Sequence, residues 1–453
     1  MKEKKRSSRW GILLLAGTVV GLGFSPAGSI ENGLEAKAQR FLERMNRGQF
    51  GKAVEDFDAV MQERMSADKL EQTWGAVTRQ AGGFQELKDT HQETTGSYTS
   101  VFLTCRFEKA LLDVKVVFDA ENRITGLWFV PPSTRQEYKP PAYADTAGFR
   151  EQDVTVGSGE WRLPGTLTLP IGPGPFPGIV LVHGSGPNDR DETIGPNKPF
   201  RDLAWGLASR GVAVLRYEKR TKVFRSAFLD PEKGFTVKQE SVDDALAGAA
   251  LLRRAPGISP DKVFILGHSL GGMLIPRIGT RDPDAAGFII LAGATRKGED
   301  VIIEQSEYIA SLDGSLSKDE IKRLQEYKEI SDRIKALEPS DRGSKDVFYG
   351  AYADYWLDLR GYDPPRSARD LKRPLLILQG GRDYQVTTED YENWKEALVD
   401  IPGVTFKLYP ALNHLFIAGQ GKSTPGEYQR SGNVSEEVIQ DIAAWIHEGR
   451  VQK

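Results

Sequence analysis

One cysteine, Cys105, and five histidines are all that 453 residues hold of the side chains that most often staple a fold or bind zinc. A lone cysteine excludes an intrachain disulfide, and with histidines this scattered no zinc site of the Cys/His kind is expected, nor any other metal or cofactor. Neither sign of charge dominates, the formal net charge being −3. Long apolar runs are missing too, with one exception. Trp10 to Phe24 is apolar over about 15 residues, short of the roughly 20 that span a bilayer. Lys2, Lys4, Lys5, Arg6 and Arg9 precede this run and Ser25-Pro26-Ala27-Gly28-Ser29 follows it, the layout of a secretory signal peptide over residues 1–29. The expectation is cleavage after Ala27 or Ser29, with a retained anchor as the alternative; no cysteine follows the run to carry a lipid. The mature chain is then exported, periplasmic or extracellular in a bacterium, without stable membrane insertion. Losing a leader that holds five positive groups and Glu3 takes the formal charge from −3 to −7. An acidic protein without basic runs is a poor nucleic-acid binder, and no such partner is expected.

Glycine, by contrast, is abundant, and one cluster of it carries chemistry. Gly267-His268-Ser269-Leu270-Gly271-Gly272 lies between the apolar run Val263-Phe264-Ile265-Leu266 and a helix-like stretch from Gly272 to Ile278. Gly-x-Ser-x-Gly between a strand and a helix is the pattern of a nucleophile elbow: the sharp turn lifts the serine hydroxyl clear of the sheet, and small neighbours let strand and helix close up around it. A serine hydroxyl needs a histidine to take its proton and a carboxylate to orient that histidine. His91 lies far upstream, His183 and His268 sit inside glycine motifs, and His447 falls on the terminal helical pattern. His414 remains, in the loop after the strand-like Thr405 to Tyr409. The carboxylate candidate is Asp383, in the turn Gly380 to Val386 that leaves the apolar strand Pro374 to Gln379. Its bland alternative is a turn aspartate capping the helix that follows. Asp243 and Asp244 precede the nucleophile and fit the solvent face of a helix from Val242 to Leu252.

Acyl transfer also needs donors for the oxyanion, usually two backbone N–H groups. The strand Ile179 to Val182 runs straight into His183-Gly184-Ser185-Gly186-Pro187, so the N–H of Ser185 is assigned, with Gly184 as fallback; the N–H of Leu270 is the second. With elbow, acid, histidine and glycine turn in the order Ser269, Asp383, His414, residues 151–449 resemble the α/β-hydrolase superfamily, in particular exported esterase or lipase-like members. Gly184 to Asp191, followed by Val212 to Arg220, is similar to a signature of carboxylesterases acting on short acyl chains. The resemblance implies hydrolysis of an ester, thioester or amide through an acyl-enzyme, and leaves open which.

Alternating strand and helix patterns over the same residues predict a doubly wound, mostly parallel α/β sheet: an opening hairpin with Trp161 to Leu169 as one arm, then strands at 179–182, 212–217, 263–266, 288–291, 375–379 and 405–409. Helices are predicted at Phe200 to Arg210 and Thr236 to Arg254. Residues of about 295–372 form too long a connection for a simple crossover. The amphipathic runs Val301 to Leu312, Lys318 to Leu337 and Val347 to Leu359 read as an inserted helical cap. Its aromatics Tyr308, Phe348, Tyr349, Tyr352, Tyr355 and Trp356 line either a substrate pocket or the cap's own core. Ahead of this, residues 32–131 form a separate α+β unit, with helical patterns at 36–45, 53–61 and 70–77 and then strands at 101–107, 111–118 and 124–130. This unit resembles small cone-shaped domains of the nuclear-transport-factor-like or cystatin-like kind. Residues 132–150 are the linker.

Three functions follow. A serine esterase acting on small-molecule acyl esters has Ser269 attacking, His414 as base and then acid, and Asp383 orienting it. A serine peptidase or envelope-amide hydrolase needs a recognition site for a peptide end, for which no acidic pair is assigned. A non-catalytic binding protein on the same scaffold sits badly with an intact triad.

Overall fold

The computed structural model describes residues 33–448 apart from 96–97, 131–137, 229 and 231–233. The leader expected over 1–29 lies outside the described residues. Two runs of elements follow one another. The first opens with helices α1 (Leu34–Asn46), α2 (Phe50–Ala53), α3 (Ala59–Arg64) and α4 (Ala67–Ala81). An antiparallel sheet follows, in the order β1 (Phe84–Thr95), β2 (Tyr98–Phe107), β3 (Leu111–Phe118) and β4 (Ile124–Val130). Alternate residues of β2 and β3, Val101, Leu103, Cys105, Val114 and Val116 among them, turn to one core with Phe41, Met45 and Trp74 of the helices. Burial pushes the Cys105 thiol up to about 12, so it is a packing residue and not a nucleophile. β1 was not expected. It is an edge strand whose Gln85, Glu86, Lys88 and Asp89 hide the alternation, and its register shifts twice near its start.

The second run begins with β5 (Phe149–Val156) and β6 (Leu163–Pro170), then β7 (Phe176–Val182), α5 (Pro199–Ala208), β8 (Ala213–Tyr217), the single turns α6 (Arg220–Val223) and α7 (Arg225–Phe228), α8 (Asp243–Arg254), β9 (Ile258–His268), α9 (Leu270–Gly279) and β10 (Gly287–Leu291). An insertion carries α10 (Gly298–Ser311), α11 (Lys318–Ala336), the short pair β11 (Val347–Phe348) and β12 (Ala351–Tyr352), α12 (Ala353–Arg360) and α13 (Pro364–Arg369). β13 (Leu375–Gly380), α14 (Thr388–Leu398), β14 (Val404–Tyr409) and α15 (Glu436–Glu448) complete it. The sheet has the order β14-β13-β10-β9-β7-β8-β6-β5, parallel from β14 to β8 and antiparallel at β6 and β5.

The central strands are covered on both faces, so β7, β10 and β13 are apolar on both sides, whereas the edge strand β5 is mostly exposed and polar. Ile179 and Leu181 of β7 pack with α5 and α15, whereas Val180 and Val182 pack on the opposite face with α8 and α9. From β7 the chain moves out to β8, then returns to the other side of β7 as β9. That reversal makes the carboxyl ends of β7 and β9 the switch point of the strand order, the place where sheets of this kind bind ligands.

Four expectations are corrected. Val347 to Leu359 is not one helix: Tyr349 and Gly350, both at positive φ, close the small β11–β12 hairpin before α12 starts. The helix expected from Thr236 opens as a π-turn over Lys238–Val242. The arm expected from Trp161 begins at Leu163 and pairs with β5. The second half of the expected linker is bound to the sheet domain: the Tyr138 hydroxyl donates to Asp202 at 2.9 Å, the Tyr143 hydroxyl donates to the Val434 carbonyl at 2.7 Å, and β5 already starts at Phe149.

Candidate active site

Each assigned group sits at the carboxyl end of a parallel strand. β9 ends at His268, and Ser269 takes φ 53° and ψ −115° before α9 begins at Leu270. For a residue with a Cβ this is a strained backbone, held here by close packing. A Cβ on Gly267 would fall 2.2 Å from the Gly271 carbonyl oxygen, and one on Gly271 would fall 2.3 Å from that of Val182. Only glycine lets strand, turn and helix approach so closely. The N–H of Leu270 heads α9, where first-turn donors have no partner within the helix.

After β13, Asp383 accepts the backbone N–H groups of Gln385 at 2.8 Å and Val386 at 3.0 Å on Oδ1. Its Oδ2 lies 2.6 Å from Nδ1 of His414, which follows β14. Both side chains are buried. Asp383 therefore does not cap α14: Oδ1 ties down the turn before that helix, and Oδ2 faces His414, with Gln379 Nε2 donating to the same oxygen at 3.3 Å. The loop around that histidine is shaped by Asn413, whose Oδ1 accepts the N–H groups of Leu415 and Ile417 at 3.0 and 3.1 Å.

The link between His414 and the elbow is His268. Its Nε2 donates to the His414 carbonyl at 3.0 Å, and its Nδ1 donates to Oε2 of Glu192 at 2.8 Å. A ring that donates from both nitrogens is an imidazolium. Burial works against that charge, and Glu192 with the His414 carbonyl outweighs it, so the His268 pKa is raised. Burial likewise opposes ionisation of Glu192, and His268 with the Gly184 N–H holds its pKa down. The two directions agree on a buried ion pair. Glu192 was not singled out in the sequence and has no local signal there, its partner being 76 residues away.

The turn after β7 stands against Ser269: a Cβ on Gly184 would lie 3.1 Å from the Ser269 Cβ and 3.6 Å from its Oγ. Gly184 cannot be the fallback oxyanion donor, because its N–H is spent on Glu192 Oε1 at 2.6 Å. Ser185 is exposed. His183 is buried, and its Nε2–H donates to the Asp189 carbonyl at 3.0 Å. Burial pushes its pKa down to about 4, so its ring is neutral. Asp244 is not on a solvent face: it is fully buried and forked onto Arg220, while Asp243 pairs with Lys238. Tyr217 is buried edge-on against His183. Of the insertion's aromatics, Phe348 and Trp356 fill its own core with Ile334 and Leu337. Tyr308 stacks on Tyr384 at 5.0 Å, and its hydroxyl donates to the Ser423 carbonyl at 2.8 Å. Among the described residues no group of three or more His, Cys, Asp or Glu is placed to hold a metal ion, and no helix is long and apolar enough to cross a membrane.

Residues 38–127 match the family described as "Protein of unknown function (DUF3887)", and residues 179–424 match the "Alpha/beta hydrolase family". A curated relative, "Esterase EstD" of Thermotoga maritima, is 38% identical over 413 residues, covering 91% of this chain and 95% of the relative. Among solved structures, an esterase of Pyrococcus furiosus is 14% identical with a TM-score of 0.40, over 62% of this chain and 91% of its own. A puromycin-hydrolyzing peptidase of Mycobacterium tuberculosis is 17% identical with a TM-score of 0.43, over 79% of this chain and 47% of its own. The family match spans more than half of the chain and the EstD relative nearly all of it, and with the sheet order and the elbow already described they lead to one conclusion: this chain belongs to the α/β-hydrolase family.

Proposed function

We propose that the protein is a serine carboxylesterase that cleaves short-chain acyl esters of small molecules through an acyl-enzyme. The observation that carries this reading is the 2.6 Å contact of Asp383 with His414 Nδ1, on a histidine tied through His268 to the elbow of Ser269. A carboxylate on Nδ1 leaves Nε2 as the base, which takes the Ser269 proton and returns it to the leaving alcohol. As the carbonyl oxygen gains charge, the N–H groups of Ser185 and Leu270 receive it. A water activated by the same histidine then releases the acid. Likeness to an esterase over nearly the whole chain supports ester over amide substrates. The charged start followed by an apolar run supports export, and the insertion, reaching over the loops after β13 and β14 through Tyr308 and Gln305, serves as the cap.

The test is turnover of a nitrophenyl ester series from acetate upward by the full chain and by Ser269→Ala, with aminoacyl anilides alongside. Ester turnover that declines with acyl length and disappears in the variant is expected. Anilide turnover without ester turnover would move the assignment to a peptidase, and Ser269-independent turnover would end it.

A further inference from the structure

Lys219 lies two residues past the end of β8 and is 1% exposed. Its ammonium donates to the Gly184 carbonyl at 2.7 Å and pairs with Glu240 Oε1 at 2.7 Å. The same carbonyl accepts Asn188 Nδ2 at 3.2 Å, and the Gly184 N–H is held by Glu192. Gly184 is thus gripped on both its polar groups. A buried charge is costly, and an apolar side chain would fill this space without that cost. The carbonyl it touches belongs to the peptide whose other edge is the Ser185 N–H. That peptide is trans, the one cis bond among the described residues being Gly174–Pro175. In a trans peptide C=O and N–H point in opposite directions, so fixing the oxygen aims the hydrogen.

We propose that Lys219 is a positioning residue for ester cleavage: through the Gly184–Ser185 peptide it aims the Ser185 N–H at the developing oxyanion and polarises it. An ammonium on the carbonyl draws electron density from the amide and makes the opposite N–H a stronger donor, and its field is little screened because Lys219 and Gly184 are both buried. Its worth appears only as the substrate oxygen becomes negative, so it acts on the transition state more than on bound ester. The inference rests on the reading of Ser269 as nucleophile and Ser185 as oxyanion donor. Lys219 lies in the stretch Val212 to Arg220 noted in the sequence, to which the triad alone gives no role.

The test uses the full chain with Lys219→Met combined with Glu240→Gln, so that no buried charge is left unpaired, together with Lys219→Gln and Lys219→Arg. The readouts are melting temperature, kcat and KM on nitrophenyl acetate, and inhibition by a trifluoromethyl ketone, whose adduct carries an oxyanion. For the folded double variant kcat is expected to fall about 10- to 100-fold with KM within about twofold, the ketone to weaken by the same factor as kcat, and Lys219→Arg to recover part of the loss. A folded double variant with kcat within about threefold of the parent, or one whose loss lies in KM alone, overturns the proposal, as does an unchanged affinity for the ketone. If the double variant does not fold, Lys219→Gln is read in the same way; failure of both to fold assigns Lys219 to stability and also overturns it. Fluorophosphonate labelling of the parent but not of Ser269→Ala keeps the nucleophile assignment whatever Lys219 does.

Discussion

At the scale of single residues, the candidate site holds two carboxylate–histidine pairs and not one. Asp383 holds His414 by its ring, and Glu192 holds His268, which in turn holds the backbone of His414 and shares Glu192 with the glycine turn. Glu192 itself sits at φ 52°, a conformation that a β-carbon disfavours, so its place is dictated by its partners. Glu192→Gln removes the charge that keeps His268 protonated and loosens the Gly184 N–H. The expected result is a kcat about tenfold lower with a His268 titration, followed by proton NMR, displaced to lower pH. A variant with unchanged kcat and an unchanged titration would show that the second pair does not support the site. The pair is fully charged between the depressed value of Glu192 and the raised value of His268. Its contribution to stability is lost as pH falls through the first or rises through the second.

At the scale of elements, the elbow works because three pieces of backbone meet at β9, α9 and the end of β7. Gly271→Ala would put a methyl group 2.3 Å from the Val182 carbonyl oxygen, where only backbone can give way. We expect it to destabilise the protein by about 3 kcal/mol or more, read as a lowered urea midpoint. A midpoint unchanged from the parent would mean that the turn relaxes more easily than its packing allows. The insertion obeys the same logic from outside: Arg277 on α9 pairs with Asp358, and the Tyr362 hydroxyl donates to the Met273 carbonyl at 2.8 Å. It is thereby fastened to the helix that follows Ser269.

At the scale of the whole molecule, pH stability should report on burial behind the site. Burial pushes the His183 pKa down to about 4, against 6.5 as its ordinary value. As pH falls from 6.5 towards 4 the unfolded chain takes up a proton that the folded chain refuses, so stability declines across that window, and His183 alone contributes on the order of 3 kcal/mol. His183→Gln keeps a donor for the Asp189 carbonyl and does not titrate. Its urea midpoint should fall less between pH 7 and pH 4.5 than that of the parent. Parallel curves for the two proteins would show that His183 is not the group that titrates.

The sequence alone determined those features whose causes are local. Period and apolar runs marked the strands of the large sheet, and glycine spacing between a strand and a helix marked Ser269. The ends of strands marked Asp383 and His414, since a parallel sheet brings all such ends to one side. Only the tertiary structure decided what depends on distant partners. β1 is too polar to declare itself and exists because β2 offers it an edge. Asp244 has the sequence pattern of a surface residue, and only Arg220 against it makes its burial tolerable. Glu192, His268 and Lys219 came into the site only when β7, β8 and β9 were laid side by side, because a buried charge is tolerable only beside its counter-charge, and no sequence pattern encodes a pairing across 76 residues.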